Sequence, residues 1–155
     1  MAETILFVED SEDDRLMFER ALRRLPFKTE VRFANDGHEA ISYLEGKDQY
    51  SDRQKFPIPT VIFSDVKMPG ISGFDLLEWL RNQSPGEFHR SPVVMFSSSD
   101  DQQDIDRAYD LGANAYLVKP HAFEQLQKLF RATGEFFLEH AEKPSLHPDG
   151  RTPPG

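Results

Sequence analysis

The sequence predicts an α/β domain in which a parallel sheet carries helices on both faces. Three observations predict it. Five short apolar runs rich in β-favouring residues recur along the chain: Thr4–Val8, Thr29–Phe33, Thr60–Ser64, Pro92–Ser97 and Ala115–Val118. Each is followed by a segment whose apolar residues recur at helical spacing. The residues able to do chemistry crowd just after the strands. Parallel strands need crossover connections, so this alternation calls for a doubly wound parallel sheet.

Taken in order, Thr4–Val8 reads as a buried strand that runs into the acidic cluster Glu9–Asp14. Ser11 or Asp10 can cap the first helix, whose apolar residues are Leu16, Met17, Ala21, Leu22 and Leu25, and Pro26 closes it. Thr29–Phe33 alternates as a second strand. Asn35-Asp36-Gly37 is a turn, and Ala40, Ile41 and Leu44 mark a short helix ending near Gly46. Residues 46–59 are polar and read as a long surface connection. The third strand, Thr60–Ser64, delivers Asp65 to the sheet edge. Pro69, Gly70 and Gly73 then shape a loop into a helix carrying Phe74, Leu77, Trp79 and Leu80, which stops near Ser84-Pro85-Gly86. After the fourth strand, Ser98, Ser99 and Asp100 offer caps to a helix with Ile105, Ala108, Tyr109 and Leu111, ended by Gly112. Lys119-Pro120 follows the fifth strand. The last helix is predicted to run from near Ala122 through Leu126, Leu129, Phe130, Phe136 and Phe137 to about Glu139. Lys143–Gly155, proline-rich and without an apolar period, is expected to be a disordered tail behind a domain spanning residues 1–142.

The chain of 155 residues suits one domain, and 38% hydrophobic with 29% charged residues is ordinary for a globular protein. A net charge of −9 argues against a nucleic-acid surface, which needs clustered Lys and Arg. Cysteine is absent, which excludes disulfide and thiolate chemistry and suits a cytoplasmic setting. No signal-peptide pattern is visible, and no run approaches the roughly 18 apolar residues of a membrane-spanning helix.

In doubly wound sheets, ligands bind beyond the carboxyl ends of the strands. Strand one ends at Glu9 and Asp10, strand three at Asp65, strand four at Ser97 and Ser98, and strand five at Lys119. Three carboxylates held together repel and need a cation. Oxygen ligands suit Mg2+, which keeps several waters and takes one or two carboxylates plus phosphate oxygens. A lysine and a hydroxyl beside such a metal can hold the oxygens of a transferring phosphoryl group. Asp65 taken alone could be a nucleophile, a metal ligand or a helix cap.

The set Glu9-Asp10, Asp65, Met68-Pro69-Gly70, Ser97 and Lys119-Pro120 resembles the receiver domain of two-component response regulators, over roughly residues 4–139. The resemblance implies a flavodoxin-like (βα)5 fold with strand order 2-1-3-4-5. It implies that Asp65 accepts phosphate from a histidine kinase, and that Asp10, Asp65 and the Lys67 carbonyl ligate Mg2+ with Glu9 acting through water. Lys119 would pair with the phosphoryl oxygens, Ser97 would move toward them, and Tyr116 would change rotamer behind it. The Lys119–Pro120 peptide is expected to be cis. No output domain follows the receiver, so the chain resembles single-domain regulators. The long segment before strand three and the extended last helix suggest those paired with bacteriophytochrome kinases. Glu9 stands where Asp is commoner, Ser97 where Thr is commoner, and His121 where Phe is frequent. The Lys67 side chain is expected to overhang the acceptor and alter the lifetime of its phosphate.

Blander readings stand beside these. Glu12 and Asp14 read as a solvated first helical turn favoured by the helix dipole. Ser98 and Ser99 read as caps, and the five histidines as structural or surface groups. Leu129, Phe136 and Leu138 widen the apolar stripe of the last helix beyond what one sheet face needs, which suggests a homodimer or partner surface. A metal-dependent phosphatase would place Asp-x-Asp after strand one, where Asp10-Ser11-Glu12 stands. A flavodoxin-type carrier would need a phosphate loop where Glu9–Asp14 repels phosphate. A calcium loop fails for want of its glycine and final glutamate. A phosphorylation-independent scaffold is the remaining alternative.

Overall fold

Strand burial sets the frame of this computed structural model, which describes residues 3–147. The strands are β1 (Glu3–Val8), β2 (Thr29–Ala34), β3 (Val61–Ser64), β4 (Val93–Ser97) and β5 (Ala115–Val118). They pair in parallel in the order β2-β1-β3-β4-β5, as expected for the flavodoxin-like arrangement. Every residue of β3 and β4 is buried, because helices cover both faces; this is why their sequences are continuous apolar runs. β2 and β5 are the edges and are only partly buried.

The helices are α1 (Glu12–Arg23), α2 (Gly37–Glu45), α3 (Gly73–Asn82), α4 (Gln102–Asp110) and α5 (Phe123–Gly134). Alternate strand residues point to opposite faces. Ile5, Phe7, Phe63 and Phe96 therefore pack with α1 and α5 through Phe18, Leu22, Leu126 and Phe130. Leu6, Val8, Ile62 and Met95 pack with α2, α3 and α4 through Leu44, Leu77, Leu80 and Ala108. Phe7 lies at the centre of the first layer, with its ring 5.0 Å from Phe18 and 5.3 Å from Phe63. Ser11, Asp36 and Ser72 cap the N-termini of α1, α2 and α3, and Gly46 closes α2 in the left-handed region at φ 69°.

The structure departs from the sequence reading in five places. First, residues 46–59 are not a bare surface connection: a short 3-10 turn, Asp48–Ser51, buries Tyr50, and Phe56 and Ile58 pack on the core. Arg53 anchors the segment by donating to the Tyr43 and Leu44 carbonyls at 2.8 Å each, which satisfies the C-terminal end of α2. Second, α4 is capped by Asp101, not by Ser98, Ser99 or Asp100, because Asp101 is the residue whose carboxylate reaches the Gln103 N–H. Third, the last helix changes at Glu135 into a π-turn, Glu135–His140. Leu138 is buried there and Leu129 packs on the core, so the apolar surplus of this helix shrinks to Phe136, 59% exposed.

Fourth, residues 143–147 are held rather than loose. Lys143 reaches Glu3 at 3.2 Å, Leu146 packs on the core, and Glu87 accepts the His147 N–H at 2.9 Å and the Ser145 hydroxyl at 2.5 Å. The remainder of the expected tail, residues 148–155, lies outside the described residues. Fifth, no cis peptide occurs among the described residues, so the Lys119–Pro120 bond is trans. Trans is the intrinsically favoured isomer even before proline, and the lysine reaches its partners from it. No helix among the described residues is long and apolar enough to cross a membrane.

Candidate functional site

The sheet register brings the chemistry to one edge. β1 and β3 run side by side with Val8 opposite Ser64, so the residues that follow them, Glu9 and Asp65, emerge as neighbours. The backbone fixes both: Glu9 N–H donates to Ala34 O and Asp65 N–H donates to Val8 O, each at 3.0 Å. β5 pairs with β4 so that Val118 lies opposite Ser97, and Lys119 N–H donates to Ser97 O at 2.7 Å.

Lys119 ties the carboxylates together. Its Nζ donates to Glu9 Oε1 at 2.7 Å and to Asp65 Oδ2 at 3.1 Å. Asp14 Oδ2 stands 3.6 Å from the same ammonium. Asp65 Oδ1 accepts the Val66 N–H at 2.7 Å. Burial pushes the Glu9 carboxyl up to about 7; the Lys119 hydrogen bond opposes this and the Asp65 charge adds to it. For Lys119, burial alone would lower the pKa, but the bond to Glu9 and the charges of Asp65 and Glu9 outweigh it and the pKa is raised.

The loop after Asp65 is held by a close approach. A Cβ at Gly73 would lie 2.1 Å from the Asp65 carbonyl oxygen, and Gly73 N–H donates to Val66 O at 2.8 Å. Only glycine fits there, so the start of α3 packs directly against the backbone that presents Asp65. Gly70 turns the loop at φ 76°.

Glu9, Asp10 and Asp65 each offer a carboxylate oxygen, and these oxygens lie within 4.8 Å of one another. With one ammonium among them the cluster keeps a negative surplus, and its all-oxygen donor set fits a hard divalent cation. Lys67 is exposed beside the acceptor.

Ser97 and Tyr116 are placed differently from the carboxylates. Ser97 is buried at the end of β4, and its hydroxyl accepts the Ser99 N–H at 3.1 Å. The Tyr116 hydroxyl donates to Ser99 O at 2.9 Å. Ser99 Oγ donates to Asp104 Oδ2 at 2.7 Å, in the first turn of α4. Ser99 therefore joins Ser97, Tyr116 and α4, a role the sequence reading assigned to capping alone. Asp14 is the second residue it missed. Its place four residues beyond Asp10, on the turn facing the strand ends, was the available signal.

Comparison with known proteins agrees with this geometry. The response regulator receiver domain family matches residues 5–131. Response regulator Rcp1 of Synechocystis is 29% identical over 141 residues, covering 91% of this chain and 92% of Rcp1. The crystal structure of its Mn(2+)-bound form superposes with a TM-score of 0.79 at 29% identity, over 92% of this chain and 99% of that one. The phosphorylated cyanobacterial phytochrome response regulator RcpA gives a TM-score of 0.83 at 30% identity, over 94% of this chain and all of that one (100%). The bacteriophytochrome response regulator AtBRR gives 0.71 at 32% identity, over 92% and 98% of the two chains.

Proposed function

The chain belongs to the response regulator receiver domain family, and from that membership and the strand-end geometry we propose that it is a response regulator receiver phosphorylated on Asp65. The observation that carries this reading is the Asp65–Lys119–Glu9 triangle, with bonds of 3.1 and 2.7 Å on one ammonium. A histidine kinase, of bacteriophytochrome type by analogy with the similar proteins, is the phosphate donor. The protein works in the cytoplasm and signals through protein contacts or onward phosphate transfer.

Asp65 is the nucleophile. Val66 N–H holds one of its oxygens, and Lys119 stands ready to pair with the incoming phosphoryl oxygens. Asp10, Asp65 and the Lys67 carbonyl would hold Mg2+, with Glu9 acting through water, and the ion would supply charge neutralisation between carboxylates and phosphate. Both transfer and hydrolysis of the aspartyl phosphate are self-catalysed. Ser97 then leaves the Ser99 N–H and turns toward the phosphoryl group, and Tyr116 follows behind it, reshaping the face built from α4, β5 and α5. Phe136 on the last helix is exposed, and a homodimer would cover it.

The test is incubation with Mg2+ and acetyl phosphate, followed by intact mass. A phosphate-sized gain is expected in the parent protein and not in Asp65→Asn. An equal gain in the variant would remove Asp65 from the role. No gain in either would favour a phosphorylation-independent scaffold. Sizing of both forms tests dimerisation.

A further inference from the structure

We propose that Asp14 recognises the phosphate donor by holding the far nitrogen of its imidazole ring while Asp65 attacks phosphorus. The inference rests on Asp65 being the acceptor, and it names the donor class: a phosphoryl group carried on an imidazole nitrogen.

A pocket of about 210 Å³ opens between the start of α1 and the turn after β5. Met17, Phe18 and Pro120 give it apolar walls, and Asp14, Lys119, Ser98 and His121 give it polar ones. It is large enough for a five-membered ring. Asp14 is the one carboxylate in that lining, and it stands 3.6 Å from the ammonium that also holds Asp65. Asp65 is not in that lining; Lys119 links the two, lining the pocket beside Asp14 and bonding Asp65 Oδ2 at 3.1 Å. The Asp14 side chain is 40% exposed, so it can turn to follow a ring entering the pocket.

The chemistry gives that carboxylate a purpose. When the P–N bond breaks, its electron pair returns to the ring nitrogen as the new P–O bond forms to Asp65. The ring departs as neutral imidazole only if its far nitrogen already carries a proton. A carboxylate accepting the hydrogen bond from that N–H favours the protonated ring and so the better leaving group. Asp14 accepts the hydrogen bond throughout and takes up no proton. Acetyl phosphate has no such nitrogen, and its acetate leaves without this help.

Asp14 could instead serve only to steady Lys119. That role would act on every donor alike, so the ratio of two rates separates the two. The full chain with Mg2+ is phosphorylated by monophosphoimidazole and, in parallel, by acetyl phosphate, with intact mass as readout. In Asp14→Asn and Asp14→Ala the ratio of the first rate to the second is expected to fall about tenfold, the scale of one charge-assisted hydrogen bond. Asp14→Glu is expected to recover part of it. An unchanged ratio overturns the inference while leaving Asp65 as acceptor. Labelling by acetyl phosphate but not by monophosphoimidazole in the parent protein overturns it too. Failure of both donors overturns the reading of Asp65 and this inference with it.

Discussion

At Asp65 the two carboxylate oxygens are not equivalent. Oδ1 is pinned by the Val66 N–H at 2.7 Å, and Oδ2 is shared with Lys119 at 3.1 Å. The backbone bond orients the proposed nucleophile, and the charged bond ties it to Lys119, which would meet the phosphate. The meeting of Asp65 and Lys119 at the strand ends was legible in the sequence, because each ends an apolar run just before a turn; which partner holds which oxygen was not. Asp14 was not legible, since an acid in a first helical turn already has a sufficient explanation in the helix dipole. Lys67 follows the acceptor by two residues and stays exposed, so its side chain is free to lie over an aspartyl phosphate. There it would impede the water that must approach phosphorus in line. Lys67→Ala is expected to shorten the phosphate lifetime several-fold, measured as loss of the mass increment after removal of the donor. An unchanged lifetime would show that the side chain does not reach the phosphate.

At the scale of elements, strands and helices were legible because each carries one period, and the segment between α2 and β3 was not. Its charged residues suggested a surface loop, yet Tyr50 and Phe56 stack around Tyr43 with ring centroids 5.2 and 5.9 Å away. The few aromatic side chains decide the packing, and the many polar ones cover it. Tyr43 is 2% exposed, and its hydroxyl donates to Pro57 O at 2.7 Å. Burial pushes its pKa from 10.0 up to about 12. Between those values the folded chain keeps a proton that the unfolded chain has lost, so stability falls as pH rises through this window. The loss amounts to roughly 2–3 kcal/mol at its alkaline end and is absent below about pH 10. Urea unfolding across this range checks it. Tyr43→Phe is expected to cost about 1 kcal/mol at neutral pH and to flatten the alkaline decline. An equally steep decline in Tyr43→Phe would assign it to other groups.

For the whole molecule, hydrogen bonds lead from the end of β4 to α4 and β5, the proposed signalling face, and this link was only half legible. The sequence showed Ser97 and Tyr116 through their resemblance to a known pattern. It did not show the connector, because the four bonds of Ser99 run in different directions and leave no period to read. Ser99 N–H donates to the Ser97 hydroxyl, its carbonyl accepts from the Tyr116 hydroxyl, and its own hydroxyl donates to Asp104 and accepts the N–H of Asp101, the cap of α4. If Ser97 turns toward a phosphoryl group, the Ser99 N–H loses its acceptor, and the strain passes by the Ser99 hydroxyl to the first turn of α4. Removing that hydroxyl leaves both backbone bonds in place, so Ser99→Ala cuts the branch to α4 alone. Hydrogen exchange then separates the effects. In the parent protein, phosphorylation is expected to change amide exchange over Gln102–Ile105. In Ser99→Ala that turn is expected to exchange faster in both states, with the phosphorylation-dependent difference much reduced and stability lower by about 1 kcal/mol. Acceptance of phosphate at Asp65 is measured in the same samples by mass, so a lost difference cannot be confused with lost phosphorylation. If the difference at α4 persists undiminished in Ser99→Ala, the coupling runs through Tyr116 and β5 instead.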